Sequence, residues 1–362
     1  MLSDAIDLGQ LRRALVVKLR HHGDVLLASP VISALKAAAP HIEIDALVYS
    51  ETADMLSGHP DLAELFCVDR GWKARGLIGQ ATAELGLLRR LRGRRPELLI
   101  HLTGHPRGAW LAKSLGCRYA VAPALANKGR WWRRAFTHHY KLPRATPRHT
   151  VEINLDALRR IGVQPARAAR ALCLVPGGSA EAAAHRWLET LALPRGAFVH
   201  VHASSRWLFK CWPAERYAEL IDCCAAAGLP ALLTAAPDTR ELAMVADIAG
   251  RCRDAPANLA GKLSLKELAA VCRHARLFIG VDSAPMHIAA AMGTPVVALF
   301  GPSGEHEWHP WQVPHRVVAL DWSCRPCGND GCGGGKRSEC LTELPVDAVW
   351  QAAQELLACT SR

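Results

Sequence analysis

Apolar residues along this chain fall into short runs that alternate with stretches of helical periodicity. The run Leu15 to Leu19 is too short for a helix and rich in branched side chains, so it predicts a buried strand. After the polar turn His21-His22-Gly23-Asp24, apolar positions recur at Leu26, Val31, Leu35 and Ala38, predicting a helix over Val25 to Ala39. Ser29-Pro30 allows a second reading, in which Gly23 to Ala28 is a separate entry turn. The same alternation continues with strands at Ile42 to Tyr49, Leu65 to Val68 and Glu97 to Leu102, and with helices at Glu51 to Gly58, Ala81 to Leu91 and Val151 to Ile161. Repeated strand, polar turn and helix units imply a parallel sheet covered on both faces.

A stretch rich in Pro, Gly and Ala, with Pro176-Gly177-Gly178 as its sharpest break, interrupts this pattern around residues 163–184. Beyond it the pattern resumes, with strands at Phe198 to His202, Ala231 to Thr234 and Val296 to Phe300, and another strand ending at Gly280. Helices are expected near Pro213 to Ala227 and over Val346 to Cys359. The expectation is an α/β chain of two Rossmann-like domains, residues 1–173 and 174–344, followed by a closing helix in 345–362. Neither half carries Gly-x-Gly-x-x-Gly after its first strand, which disfavours a dinucleotide oxidoreductase.

With 362 residues, half of them hydrophobic, the chain is long enough for two cores. No window approaches a membrane span and the N-terminus lacks a signal-peptide pattern, so a cytoplasmic protein is expected. A net charge of +11 suits an anionic partner, whether nucleic acid, a phosphorylated substrate or a membrane surface. The 13 cysteines are an odd number and read as reduced thiols.

Three stretches carry candidate chemistry. Asp24 stands where a strand hands over to a helix, the place that faces the ligand crevice of an open α/β sheet; it reads either as a helix N-cap or as a general base. The segment Lys128 to Arg134, continuing through His138, His139 and Lys141 to Arg144 and Arg148, is basic with the aromatic pair Trp131-Trp132. It reads as a solvated loop or as a surface for phosphates, sugars or an interface. In Leu277 to Pro295, Asp282 and Ser283 open a helix whose N-terminus favours an anion; Asp282 itself would repel a diphosphate and suits a sugar hydroxyl, or is simply the cap. Cys324-x-x-Cys327-x4-Cys332-x7-Cys340 has spacing compatible with zinc, but the run Gly333-Gly334-Gly335 also suits a plain loop.

The run Gly280-Val281-Asp282-Ser283-Ala284-Pro285-Met286-His287-Ile288-Ala289-Ala290-Ala291 resembles the bacterial lipopolysaccharide heptosyltransferases, as do Ala203-Ser204-Ser205, Lys210-Cys211-Trp212-Pro213 and His22-Gly23-Asp24. The resemblance covers nearly the whole chain. The His-His-Gly-Asp turn, the stretches His101 to Trp110 and His149 to Asn154, and the late cysteines are most similar to the heptosyltransferase III branch.

That resemblance implies a GT-B fold: two domains facing across a central crevice, with the last helix packing back on the first domain. It implies an inverting transfer of L-glycero-D-manno-heptose from ADP-heptose to a heptose of the lipid A-linked inner core, at the inner face of the inner membrane. Asp24 matches the catalytic base and Lys210 the lysine that neutralises the donor diphosphate. Ser204 and Ser205 match hydroxyls beside the phosphates, Asp282 the residue that holds the donor heptose, and Ser283, Ala284 and His287 the rest of the donor loop. Asp238 corresponds to an acidic residue at the nucleoside ribose. His21, His22, Arg107, Arg130, Arg133 and Arg134 are the expected acceptor contacts. Neither a metal nor a cofactor is expected. The other readings are a heptosyltransferase I/II-type or other nucleotide-sugar transferase and, in a different class, a nucleic-acid-binding protein. Nucleic-acid binding does not need a carboxylate placed like Asp24.

Overall fold

A computed structural model describes residues 4–143 and 147–359; Arg144, part of the basic segment, lies outside the described residues. The chain forms two compact units, Met1–Val175 and Pro176–Arg362. In the first, strands β1 (Arg13–Val17), β2 (Glu43–Tyr49), β3 (Glu64–Val68), β4 (Leu98–His101), β5 (Tyr119–Pro123) and β6 (His138–Tyr140) form one sheet in the order β3-β2-β1-β4-β5-β6. The second unit repeats this arrangement with β7 (Val199–His202), β8 (Ala231–Thr234), β9 (Ala257–Asn258), β10 (Leu277–Val281), β11 (Val296–Leu299) and β12 (His315–Val318). Its order is β12-β11-β10-β7-β8-β9. Every pairing in both sheets is parallel.

In each sheet the strand order reverses direction once, between β1 and β4 and between β7 and β10. Loops leaving the carboxyl ends of those two strands diverge to opposite faces and open a crevice, which is where open α/β sheets bind ligands. All four central strands are buried along almost their whole length, as expected of sheets covered on both faces.

The run expected as one helix over Val25 to Ala39 is broken. A five-residue helix, His22–Leu26, is followed by a second, Ser29–Ala38, with Pro30 in its first turn. Proline costs least in that position, because no N–H is needed there. The expected short helix after β2 is a 3-10 helix, Ser50–Met55. The helix Val346–Cys359 was expected to return to the first unit; in the structure Val349, Ala352, Ala353 and Leu356 are part of the second unit's core, against β10 to β12. Among the described residues, no helix is long and apolar enough to cross a membrane.

Candidate active site

In the first unit, the loop after β1 carries Lys18, Arg20, His21, His22 and Asp24. Asp24 is not a cap: the N-cap of helix His22–Leu26 is His21, and Asp24 lies inside the first turn. Its carboxylate is 13% exposed and sits 3.6 Å from Arg20 Nε. His22 Nε2 meets the Glu51 carbonyl at 2.7 Å, tying the turn to the segment after β2; His21 is exposed.

Lys18 is a functional candidate that the sequence reading passed over. It is buried, and Nζ donates to Asn154 Oδ1 (3.0 Å) and the Leu102 carbonyl (3.4 Å). Asn154 in turn donates to the Leu27 carbonyl, linking the two strand ends to the break between the first two helices. Burial pulls the Lys18 ammonium down to about 8, opposed by the Asp24 carboxylate, so the two groups sense each other. The available signal was a single cation in an apolar strand run, which must be paired to be buried.

The loop after β4 is held by histidines. His101 Nε2 meets the His105 carbonyl (3.0 Å), its ring stacks on Phe136, and burial lowers it to about 3, leaving it neutral. His105 Nδ1 accepts from the Arg107 N–H and caps helix Pro106–Leu115. A Cβ on Gly108 would lie 2.3 Å from the His101 ring, so only glycine lets this helix sit on that histidine. Arg107 makes a two-pronged ion pair with Glu84, with Nη2 2.6 Å from Oε1, and its charge is already matched. Arg130, Arg133 and Arg134 are exposed on helix Arg130–Ala135. The Trp pair divides: Trp131 is exposed, whereas Trp132 is core and donates to the Pro123 carbonyl.

In the second unit, the loops after β7 and β10 bring Lys210 and Asp282 together: Nζ and Oδ2 are 2.7 Å apart, with Asp282 buried and Lys210 partly exposed. The central strands approach closely because β10 carries Gly280, where a Cβ would come within 2.9 Å of the His202 carbonyl. Lys210 ends a 3-10 turn, Leu208–Lys210, pinned by Ser338 Oγ on the Phe209 carbonyl (2.6 Å) and by Trp212 Nε1 on the Leu344 carbonyl.

Ser283 is the N-cap of helix Ala284–Ala291, but its hydroxyl donates to the Val281 carbonyl (3.3 Å) and accepts from no helix N–H. Pro285 has no N–H and the Met286 N–H donates to the Ser283 carbonyl (3.2 Å), so what this helix end offers an anion is chiefly its positive dipole end. Ala284 opens this helix, and His287 is buried within it, 6.4 Å from the Trp308 ring centre.

Three expected donor contacts are otherwise engaged. Ser204 is fully buried and gives its hydroxyl hydrogen to Glu241 Oε2 (2.7 Å). Ser205 Oγ accepts from the Trp207 N–H. Asp238 caps helix Thr239–Arg251, accepting from the N–H groups of Arg240 and Glu241, and is exposed. Glu241 was missed, although the Asp238-x-x-Glu241 spacing is that of a helix start.

On β7, His200 and His202 both meet Thr234 Oγ1, at 2.7 and 2.8 Å, and burial lowers them to about 3 and about 4. Glu181, His185 and His274 bring ligand atoms within 4.8 Å of one another, but Arg195 lies against His185 and Arg273 pairs with Glu181 at 2.6 Å. Two guanidinium groups already occupy the surroundings a dication would need.

The sequence profile of glycosyltransferase family 9 (heptosyltransferase) matches residues 85–336. Lipopolysaccharide heptosyltransferase 3 of Escherichia coli is 35% identical over 295 residues, covering 81% of this chain and 84% of that protein. Lipopolysaccharide heptosyltransferase 1 of Pseudomonas aeruginosa is 27% identical over 337 residues, 88% of this chain and 87% of its own. Among solved structures, the glycosyl transferase family 9 protein from Veillonella parvula superposes with a TM-score of 0.82 at 24% identity, over 99% of this chain and 100% of that one. The Escherichia coli heptosyltransferase WaaC with ADP-2-deoxy-2-fluoro heptose gives 0.72 at 21% identity, over 95% and 99%. The fold is the GT-B fold of these enzymes.

Proposed function

Since this chain belongs to glycosyltransferase family 9, we propose that it moves L-glycero-D-manno-heptose from ADP-heptose to a heptose of the lipopolysaccharide inner core, with inversion at the anomeric carbon. The observation that carries this reading is the Lys210–Asp282 pair at the β7/β10 reversal, matched by Asp24 at the β1/β4 reversal. Asp24 takes the proton of the acceptor hydroxyl as its oxygen attacks the anomeric carbon. The bond to the diphosphate breaks, and ADP leaves with the electron pair.

Lys210 and the positive dipole end of helix Ala284–Ala291 offset the charge that grows on the leaving diphosphate. Asp282 holds the Lys210 ammonium in place in the structure; the diphosphate takes over that ammonium and the carboxylate turns to the heptose hydroxyls. This handover accounts for a carboxylate so close to an anion-binding helix. Arg20, 3.6 Å away, and the nearby Lys18 ammonium orient the Asp24 carboxylate.

A lipid-anchored acceptor explains the exposed apolar side chains of the first unit. Leu77 (88% exposed), Ile78 (84%) and Leu85 stand on helix Gly76–Arg94, Trp110 on helix Pro106–Leu115 and Trp131 on helix Arg130–Ala135. These three helices pack one against the next. Exposed Lys73, Arg89, Lys113, Arg130, Arg133 and Arg134 lie among them, a combination suited to the anionic cytoplasmic leaflet. Arg130, Arg133 and Arg134 are then the acceptor-side cations; Arg107, engaged by Glu84, orients its loop.

The test is turnover with ADP-L-glycero-D-manno-heptose on core acceptors that differ by one heptose. Transfer to the acceptor bearing the inner-core heptoses, and not to the one lacking them, is expected. Absence of transfer to any of them, or preference for another nucleotide-sugar, overturns the reading.

A further inference from the structure

Strand β7 alternates valine and histidine, so Val199 and Val201 enter the apolar core on one face of the sheet while His200 and His202 lie on the other. Two imidazoles buried this deeply need partners. The structure joins them into one line of hydrogen bonds. Cys272 Sγ, on helix Leu265–His274, is 3.3 Å from His200 Nδ1; His200 Nε2 is 2.7 Å from Thr234 Oγ1; and Thr234 Oγ1 is 2.8 Å from His202 Nδ1. All four residues are buried. The line starts against a helix inside the second unit and ends at the last residue of β7, directly before Ala203-Ser204-Ser205.

The protons along this line can be placed. Burial lowers both imidazoles and raises the Cys272 thiol, so all three groups are neutral and each ring carries one N–H. Thr234 has a single hydroxyl hydrogen, which serves one ring, so the other ring donates to the hydroxyl oxygen. A thiol sulfur is a weak acceptor, and the Cys272 S–H therefore donates to His200 Nδ1. His200 then holds its proton on Nε2 and donates to Thr234 Oγ1, which donates to His202 Nδ1. His202 is left with its proton on Nε2. That nitrogen has no partner among the described residues and is not one of their buried, unpaired polar atoms, so it reaches the surface. Gly280, paired with His202 across β7 and β10, brings no side chain against it, and Asp282 and the positive end of helix Ala284–Ala291 follow directly after that strand.

We propose that Cys272, His200 and Thr234 are positioning residues that lock His202 in its Nε2–H form, and that this N–H donates to a diphosphate oxygen of the nucleotide-sugar, given the reading above of Lys210 and helix Ala284–Ala291 as the diphosphate site. A fixed neutral donor suits a leaving group on which charge grows during transfer. It stabilises the anion without adding a charge that would itself have to be buried. Because the relay holds the proton on Nε2 before the donor arrives, no tautomer has to change on binding.

Nuclear magnetic resonance of full-length wild type labelled with 15N-histidine reads the tautomers directly, the 17 histidines being assigned by single substitutions. His202 should show a neutral ring protonated on Nε2, and saturating ADP should shift that N–H. Two variants separate the two nitrogens. His202→Asn keeps an amide group where Nδ1 meets Thr234 but offers nothing at Nε2, and should weaken ADP binding about 10- to 100-fold with an unchanged circular dichroism spectrum. His202→Gln places an amide N–H at the reach of Nε2 and should restore most of that affinity. Thr234→Val should let the two His202 tautomers mix and weaken ADP binding, although no group that touches the ligand has changed. Several results overturn the proposal while sparing the diphosphate site itself: ADP that binds wild type without moving the His202 N–H, His202 protonated on Nδ1, wild-type ADP affinity in His202→Asn, or wild-type tautomer and affinity in Thr234→Val. Wild-type protein that binds no ADP overturns both.

Discussion

Single residues divide here into those spent on structure and those held ready for chemistry. His101, His200 and His202 are neutral because burial lowers them to about 3, 3 and 4. In the unfolded chain they take up protons below about 6.5. Stability from these groups is therefore complete above that pH and is lost as pH falls toward their folded values, at up to about 1.4 kcal/mol per pH unit for each. A denaturant-unfolding series from pH 7 to pH 4.5 should show this slope, reduced in His202→Asn.

Lys18 makes the opposite kind of claim. If its ammonium orients Asp24, then kcat should decline on the alkaline side with a midpoint near 8, the value to which burial lowers it. Lys18→Met should lower kcat and remove that limb while leaving the donor KM little changed. A variant with wild-type kcat and the same alkaline limb would reduce Lys18 to a core residue. The place of Asp24, just past the carboxyl end of the first strand, was legible from where it stands in the pattern. The engagement of Ser204 with Glu241 and of Arg107 with Glu84 was not, since those partners lie 37 and 23 residues away and only the fold brings them together.

At the level of elements, the central strands were readable because both faces are buried, which leaves a continuous apolar run. The reading of Ala231 to Thr234 and Val346 to Cys359 coincides with the observed bounds. Four strands were missed: edge strands β6, three residues long with two histidines, β9, of two residues, and β12, which begins His-Arg, carry no such run, and β5 has a short one that ends in proline. After β1 the single helix fails at Ala28 and Ser29, where apolar periodicity continues across the break, and the reading of Ser29-Pro30 as the start of a second helix holds, with the entry turn itself a short helix.

Helix Pro106–Leu115 gives a direct test of packing. Gly108→Ala adds a methyl where the His101 ring already lies, and should destabilise the protein by about 1–3 kcal/mol. Thermal or denaturant unfolding checks this; Gly86→Ala, on an exposed helix with no atom within 4 Å of the added Cβ, should not destabilise.

Across the whole molecule, two units with the same strand order divide the work, the first carrying Asp24 and the exposed apolar helices, the second the Lys210–Asp282 pair. The net charge of +11 pointed to an anionic partner without naming one. The proposed lipid surface rests on Leu77 and Ile78, since nearly fully exposed aliphatic side chains beside lysine and arginine suit it better than they suit a nucleic acid. The double variant Leu77→Ser/Ile78→Ser should lose most of its binding to vesicles containing anionic phospholipid while keeping donor affinity. Equal binding by the wild type to neutral and anionic vesicles would argue against this surface.

The central claim is that Asp24 activates the acceptor while Lys210 and Asp282 hold the donor. The most direct test compares wild type with Asp24→Asn for heptose transfer to a defined inner-core acceptor, with ADP-heptose affinity measured on the same samples. The account predicts unchanged donor affinity and a kcat lower by about 100- to 10,000-fold. Transfer by Asp24→Asn at the wild-type rate would contradict it.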